Sequence, residues 1–436
     1  MKKINSILII MLMLVSYLAI LNPVSAAIIY VDSSMAAGEI NTAIDGANNG
    51  DTIQFTGGNY DLDSPIIITK SVSLVGNTGS PSSVIMNAPT TGGGQARSVF
   101  KVTVSNVNIR GFRIQGGFDS STLQNAGIYV GEGFPGLSNV TISHNEITAN
   151  SYGILLNDVK NSTISNNEVW GQKKNNEPSS SGVGIVIFGR KQDGDHTYNV
   201  IVENNTIYNN ETEGIRIDVE SADGSTKFVN NLNIIIKNNK VYNNGSTIGG
   251  VDKYIGIKSV GWSKGVIVTN NEIYGHTMKT GASSPNNQSA GIWIAASKDW
   301  QIVNNYIHDN LNGIVFVYSK FDAGSGNHII TGNIIKSNVR GISIDDGSEA
   351  KANSNDIYSN SIQIFSGLRY KGYEIYNSDI TNTFNAQNNW WGSNAGPIGS
   401  KIYGKVNYYP WIKYSELPVA SITKILKKNQ DKKNNK

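Results

Sequence analysis

The stretch Asn199-Val-Ile-Val-Glu-Asn-Asn205-Thr-Ile207, followed by Gly214-Ile215, decides the fold because its pattern returns along most of the chain. Each copy has a short alternating strand, a polar pair that ends in Asn, a second short strand, and then a strand that begins Gly-Ile. The closest copies of the recurring Asn, such as Asn145 and Asn167, are 22 residues apart. That length accommodates three short strands and three turns, so each copy predicts one coil of a solenoid.

A single coil of this kind cannot bury its apolar face, but a stack of coils can. Stacking places like strands about 4.8 Å apart in parallel sheets around one continuous core. Ile and Val dominate the strands, and these β-branched residues suit a pleated interior. A leucine-rich solenoid is excluded because its Leu consensus and its helical segment are both missing. The sequence therefore predicts an all-β, single-stranded parallel β-helix.

The recurring Asn has a structural role in this prediction. At a turn repeated in every coil, its side-chain amide can donate to the Asn of one neighbouring coil and accept from the Asn of the other. Asn also tolerates the left-handed backbone of a tight turn, which we expect at the same residue. The predicted asparagine ladder consists of Asn145, Asn167, Asn205, Asn239, Asn271, Asn305, Asn333 and Asn355. A second column five residues later contains mostly Asn, with Gln172 and His276 in two coils.

The beginning of the chain has the composition of a secretory signal peptide. Lys2 and Lys3 precede an apolar run from Ile7 to Leu21, and small residues follow up to Ala26. The run is shorter than the roughly 20 residues of a spanning helix, and no later segment is long and apolar enough to span. We expect a secreted or cell-surface protein without a membrane span once the signal is removed.

The two ends of the solenoid need covers, because exposed end coils invite edge pairing. Helical spacing of Ile40, Ile44 and Ala47 predicts a short helical cap from about Met35 to Ala47, and the pair Trp390-Trp391 predicts an aromatic C-terminal cap. The chain thus divides into a signal peptide (1–26), an N-terminal cap with the first coils (27–98), β-helix repeats (99–385), a C-terminal capping segment (386–415) and a basic disordered tail (416–436).

Composition narrows the classes of partner. The chain has no Cys, so neither disulfides nor thiolate metal sites contribute. The net charge of +3 is small and predicts no binding to nucleic acid. We expect a monomer whose core alone provides its stability.

The repeats resemble those of the pectate-lyase-like superfamily of right-handed β-helices. The opening segment Gly50–Tyr60 and the closing segment Asn388–Pro397 resemble exported prokaryotic surface proteins with β-helix repeats, among them the accessory proteins of copper-site assembly. The resemblance covers roughly residues 27–414. It implies a right-handed helix, but no single activity, because the superfamily includes lyases, hydrolases, epimerases, tailspikes and adhesins.

In enzymes of that superfamily, substrate lies along one sheet, which the Gly-Ile strands match here. Ile side chains fill the core, so the alternating residue is expected to face solvent. Three adjacent coils then present Arg216, Lys258 and Trp293 side by side, with Asp218 and Glu220 further along the first strand.

This patch is suited to a polysaccharide or a cell-surface glycan that contains uronates. Trp293, with Trp262 nearby, would stack on a sugar ring, and the two cations would hold a carboxylate. We expect the neighbouring cation Arg216 to lower the pKa of Lys258. Lys258 would then be the base of a β-elimination, with Arg216 and Asp218 as its catalytic partners.

Several alternatives remain open from the residues alone. A lyase is favoured over a glycoside hydrolase, which needs two carboxylates about 5–9.5 Å apart. No metal site is assigned, although the oxygen ligands of the pairs Asp218–Glu220 and Asp345–Asp346 would suit Ca²⁺. The main alternative is a non-catalytic adhesion or structural spacer protein. An accessory role in metal-site maturation rests on the resemblance and is disfavoured by the lack of clustered Met, His or Cys.

Overall fold

The structure is a computed structural model. It describes residues 26–90, 97–119, 125–174, 181–190, 197–220, 232–248, 251–277, 289–317, 326–345, 349–361, 363–365 and 368–415. The predicted tail (416–436), residues 1–25 of the predicted signal peptide, and Asp346 lie outside these ranges. Across the described ranges, no helix is long and apolar enough to cross a membrane.

Three long parallel sheets form the walls of the β-helix and confirm the predicted architecture. In the described residues they contain 15, 11 and 12 strands, and most coils pass through sheets A, B and C in turn. Sheet A contains Ile28–Val31, Thr52–Phe55, Ser73–Val75, Asn108–Arg110, Leu137–Ser138, Thr141–Ser143, Val159–Ser165, Tyr198–Glu203, Ile235–Lys237, Ile267–Thr269, Gln301–Val303, His328–Thr331, Ala350–Asn353, Phe384–Asn385 and Val406–Asn407. Sheet B contains Gly58–Asp61, Val84–Asn87, Arg113–Gln115, Glu146–Thr148, Glu168–Trp170, Thr206–Tyr208, Lys240–Tyr242, Glu272–Tyr274, Tyr306–His308, Ile334–Lys336 and Asp356–Tyr358. Sheet C contains Ile66–Ile68, Phe100–Val102, Ala126–Val130, Tyr152–Asn157, Val183–Arg190, Glu213–Glu220, Ile255–Gly261, Ala290–Ala295, Asn312–Val317, Arg340–Ile344, Tyr373–Asn377 and Ile402–Tyr403.

Two antiparallel hairpins extend from the coils. They are Ser246–Ile248 with Val251–Lys253, and Gln363–Phe365 with Leu368–Tyr370. Two short 3₁₀ helices cover Pro81–Ser83 and Gly399–Lys401.

The predicted asparagine ladder runs through the turn between sheets A and B. Asn239 is typical: its Nδ2 donates to Oδ1 of Asn271 at 3.0 Å, while its own Oδ1 accepts from Nδ2 of Asn205 at 3.0 Å. The same contacts connect all eight predicted positions, and Asn389 extends the column by one coil. The expected left-handed backbone is displaced by one position, because positive φ occurs at the preceding residue, such as Asn238 at 57°.

The second predicted column forms a ladder between sheets B and C. It contains Asn150, Gln172, Asn210, Asn244, His276, Asn310, Asn338 and Asn360. Nδ1 of His276 donates to Oδ1 of Asn310 at 2.8 Å, and its Nε2 accepts from Nδ2 of Asn244 at 3.3 Å. Burial lowers the pKa of His276 to about 4, so the ring remains neutral, as this pattern requires.

The Gly of each Gly-Ile strand is required by close approach between coils. At Gly214, a Cβ atom would lie 2.7 Å from the carbonyl oxygen of Gly256 and 2.9 Å from Nδ2 of Asn244. The column of glycines therefore lets each Gly-Ile strand pass directly against the second ladder. The following Ile residues, such as Ile215 and Ile257, are fully buried in the core.

Elements near both ends of the solenoid pack against its core. A helix spans Ala37–Gly46 and buries Ala37, Ile40 and Ile44 against the first strands, so it is shorter at both ends than the predicted span. Near the other end, Trp391 is buried and the partly buried Trp411 packs against the same core.

Candidate functional site

The register of sheet C brings the three predicted site residues together. Arg216 pairs with Lys258 on the next strand, and Lys258 pairs with Trp293 on the strand after it. Nζ of Lys258 lies 5.5 Å from the centre of the Trp293 ring, which is the distance of a cation–π contact. Sequence periodicity therefore predicted the arrangement of this patch correctly.

The expectation that this column faces solvent is wrong. Arg216 is 6% exposed and Trp293 is 8% exposed, and the side chain of Lys258 is only 12% exposed. Other members of the column are buried too: Leu155, Val186, Val315 and Ser343. The outer face of sheet C is thus covered as well as the inner face, as is common for parallel sheets.

Two apolar clusters account for much of this outer face. The first contains Ala126, Tyr129, Tyr152, Leu155, Val183 and Val186, and the second contains Ile255, Ala290, Trp293, Ala295, Val315 and Val317. Arg216 lies on the strand between them, and Lys258 lies beside Trp293 in the coil that opens the second cluster. The charged groups are therefore enclosed by apolar surface, which strengthens their electrostatic interactions.

Glu213 holds the two cations, and it was not among the predicted residues. Its carboxylate forms an ion pair with the guanidinium of Arg216 and accepts a hydrogen bond from Nζ of Lys258 at 2.8 Å. Burial raises the pKa of Glu213, but the charges of Arg216 and Lys258 outweigh burial and lower it to about 2. We call Glu213, Arg216 and Lys258 the Glu213 triad; it carries a net charge of +1 at neutral pH.

The Glu213 triad changes the expected chemistry of Lys258. The expectation of a lowered pKa depended on two adjacent cations without a counterion. Ionised Glu213 instead stabilises the charged forms of both cations, and the pKa of Arg216 is raised because Glu213 outweighs its burial. A general base must be unprotonated, so this geometry does not favour Lys258 in that role.

Trp293 contributes a hydrogen-bond donor as well as a ring. Its Nε1 is buried and has no hydrogen-bond partner among the described residues. A buried unpaired donor costs roughly 1–3 kcal/mol, and a ligand oxygen would remove that cost. The Trp293 side chain therefore combines a ring face in contact with the ammonium group of Lys258 and an indole N–H without a partner among the described residues.

The remaining predicted residues lie around this centre. Asp218 is half-buried and pairs in register with Val260, two residues along the strand from Arg216. Trp262 is half-buried just after the strand Ile255–Gly261. Glu220 is placed by its backbone register with Arg190, and its side chain is outside the description.

The calcium alternative gains no support from the described side chains. Within the described ranges, no three His, Cys, Asp or Glu residues come together as a metal site. Asp345 accepts a hydrogen bond from Oγ of Ser378 at 3.1 Å, and Asp346 is not described.

The structure also shows an aromatic stack on the outer face of sheet B that the sequence analysis did not identify. Neighbouring ring centres are 4.9–6.0 Å apart and the ring planes differ by 3–8° along Trp170, Tyr208, Tyr242, Tyr274 and His308. The signal was present in the sequence, since each of these residues comes three positions after a ladder Asn. Each ring face is covered by its neighbours, so the stack stabilises the coils and presents ring edges to solvent.

Comparison with protein families supports the fold. The family model described as "Right handed beta helix region" matches residues 91–273, and the model of a "Protein of unknown function (DUF1565)" matches residues 244–394. No curated protein matches the sequence. Together with the three parallel sheets, these matches confirm the predicted right-handed parallel β-helix.

Solved structures with the same fold differ in activity. The A-module of the mannuronan C-5 epimerase AlgE6 from Azotobacter vinelandii is 17% identical, with a TM-score of 0.51 over 87% of this chain and 99% of that one. A mannuronic acid specific polysaccharide family 6 lyase from human gut microbiota is 12% identical, with a TM-score of 0.55 over 93% and 94%. PfbA, a surface adhesin of Streptococcus pneumoniae, is 15% identical, with a TM-score of 0.51 over 78% and 91%. At these identities the likeness concerns the fold alone.

Proposed function

We propose that this protein is an exported cell-surface β-helix protein that binds an acidic polysaccharide, with uronates favoured, at the Glu213 triad and Trp293. The main support is the buried indole N–H of Trp293, which has no partner among the described residues, on a ring that also contacts the cation of Lys258. Export is supported by the composition of residues 1–26. The presence of a lyase, an epimerase and an adhesin among proteins of the same fold agrees with a glycan partner.

The chemistry of the site favours a ligand rich in oxygen acceptors. Arg216 and Lys258 have only hydrogen-bond donors on their side chains, and Trp293 adds another donor. Glu213 takes part of this donor capacity, yet the triad retains a net charge of +1, which favours a uronate carboxylate. Asp218 lies close enough to interact electrostatically with Arg216, and it limits the strength of that preference.

Binding is favoured over cleavage. Lys258 is held by the fully buried carboxylate of Glu213, whose pKa of about 2 keeps it ionised at neutral pH. The main alternative, a spacer or adhesion protein without a glycan ligand, is favoured by the burial of the outer column. A binding measurement distinguishes the two.

The test is retention of the mature protein on immobilised polymannuronate, polygalacturonate and neutral dextran. We expect retention on a polyuronate, weaker retention on dextran, and no ultraviolet absorbance from unsaturated products. Lys258→Met removes a charged donor and should weaken binding by about tenfold or more. Trp293→Phe keeps a ring but removes the N–H and should weaken binding by about threefold to tenfold.

Leu155→Ala is the matched control, because Leu155 is buried in the same column but lies in the other apolar cluster, two coils before Arg216. It should leave retention unchanged. Unsaturated products that disappear in Lys258→Met, in a variant that circular dichroism shows to be folded, would establish a lyase and contradict the binding-only proposal. Absence of retention on every polymer would reject a glycan ligand at this site and leave the spacer alternative.

A further inference from the structure

A cleft of about 280 Å³ lies near the C-terminal end of the solenoid, where sheet C turns into sheet A. It is separate from the Glu213 triad and from Trp293, none of which lines it. Its lining comes from the coil that contains Ile344 and Ala350 and from the next coil, which contains Asn377 and Phe384. Asn327 of the preceding coil completes it.

One wall of the cleft is a turn that is held in place by its own hydrogen bonds. The carboxylate of Asp379 accepts bonds from the backbone and side chains of both Thr381 and Asn382. Nδ2 of Asn377 donates to the carbonyl oxygen of Lys405 at 2.7 Å, and its Oδ1 accepts from the backbone of Asp379 at 3.0 Å. The wall is therefore formed before any ligand arrives, which reduces the entropy cost of binding.

The floor and the rim of the cleft differ in character. The floor is formed by Ile344, Ala350 and Phe384, which belong to the core and expose at most 8% of their surface. Lys351 and Asn385 pair across neighbouring strands at the rim. Other exposed rim groups are Glu349 and Thr383.

We infer that this cleft binds a single neutral pyranose unit. An apolar floor under a rim of donors and acceptors matches a sugar ring, which has C–H groups on its faces and hydroxyls at its edge. The volume is just below the roughly 300 Å³ at which pockets for drug-sized ligands begin, so it suits one sugar unit.

Charge distinguishes this ligand from the one proposed for the Glu213 triad. The lining contains two carboxylates, Glu349 and Asp379, and one cation, Lys351. Its net charge of −1 disfavours a uronate and leaves neutral hydroxyls as the matching chemistry. The inference is therefore independent of the proposed function.

The test is saturation-transfer NMR of the full mature chain with glucose, galactose, N-acetylglucosamine, glucuronate and galacturonate. Thr383→Trp places a large side chain at the exposed rim and should weaken binding of a neutral sugar by about tenfold or more. Asn385→Ala removes one donor and should weaken it by about threefold to tenfold. Thr90→Trp, at an exposed position in the first coils, is the matched control and should bind as the unchanged chain does.

Circular dichroism establishes that both Trp variants and Lys258→Met fold, and Lys258→Met should retain the neutral sugar. Absence of polyuronate retention by the unchanged chain, together with intact neutral-sugar binding, would leave this inference standing without the proposed function. The inference is overturned if no neutral sugar binds, if Thr383→Trp leaves binding unchanged, or if a uronate binds better at the site that Thr383→Trp blocks.

Discussion

Replacing Asn239 by Ala tests whether the hydrogen bonds of the asparagine ladder contribute to the stability of the protein. Nδ2 of Asn239 donates to three oxygens, on Val202, Lys237 and Asn271, and its Oδ1 accepts from the backbone and side chain of Asn205. The residue is fully buried, so water cannot readily replace these partners. Its φ is not positive, because the left-handed residue is Asn238, and Ala therefore adds no backbone strain.

The expected magnitude follows from the donors left without partners. Asn239→Ala leaves two buried N–H groups of Asn205 unpaired, and each costs roughly 1–3 kcal/mol. We expect the free energy of unfolding to fall by about 2–6 kcal/mol, measured by urea unfolding followed by circular dichroism. Gln301→Ala removes an exposed amide from a strand of sheet A and should change stability by less than about 0.5 kcal/mol. A loss below about 1 kcal/mol for Asn239→Ala would refute the reasoning.

Three further predictions concern stability. Burial lowers the pKa of His276 from its ordinary 6.5 to about 4, so below pH 6.5 the unfolded chain binds a proton more readily than the folded chain. The free energy of unfolding of the wild type, relative to that of His276→Asn, should therefore fall by about 3 kcal/mol as pH is lowered from 6.5 to 4, measured by urea unfolding at each pH. Burial raises the pKa of Glu374 from its ordinary 4.5 to about 7, so the free energy of unfolding should decline as pH rises from 4.5 to 7. Above pH 7, Glu374→Gln should be more stable than the wild type by up to about 3 kcal/mol. Gly214→Ala would bring a Cβ atom within 2.7 Å of the Gly256 carbonyl oxygen and should lower stability by about 1–3 kcal/mol; an unchanged thermal midpoint would contradict the packing argument.

The coils could be predicted because their determinants recur in the sequence. An Asn that must bond to the Asn above and below leaves a fixed signal in every copy, and so does a Gly that must pass against Asn244. The strand register follows from these two columns, which is why Arg216, Lys258 and Trp293 were correctly placed side by side. Within the turn, the predicted position of the left-handed residue was wrong by one, because Asn occupies both positions of the pair in several coils, such as Asn238 and Asn239.

The environment of the outer face could not be predicted in the same way. The alternation of residues along a strand predicts which side chains point away from the core, but it does not predict whether other residues cover them. Arg216 and Trp293 point outward and are nevertheless buried. The residues that cover the outer face differ from coil to coil, so they produce no periodic pattern in the sequence.

The burial of Glu213 on this outer face affects how the candidate site can be tested. In register, it occupies the column of Val183 and Ile255, where its neighbours are apolar. A carboxylate at such a position is stable only when cations on adjacent positions compensate for its burial, and Arg216 and Lys258 do so. Removing one partner of a buried ion pair leaves an uncompensated charge, so each cation stabilises the fold whether or not it binds a ligand. Loss of binding in Lys258→Met therefore counts as functional evidence only when the variant is shown to be folded. The N–H of Trp293, which has no partner among the described residues, gives the more direct test.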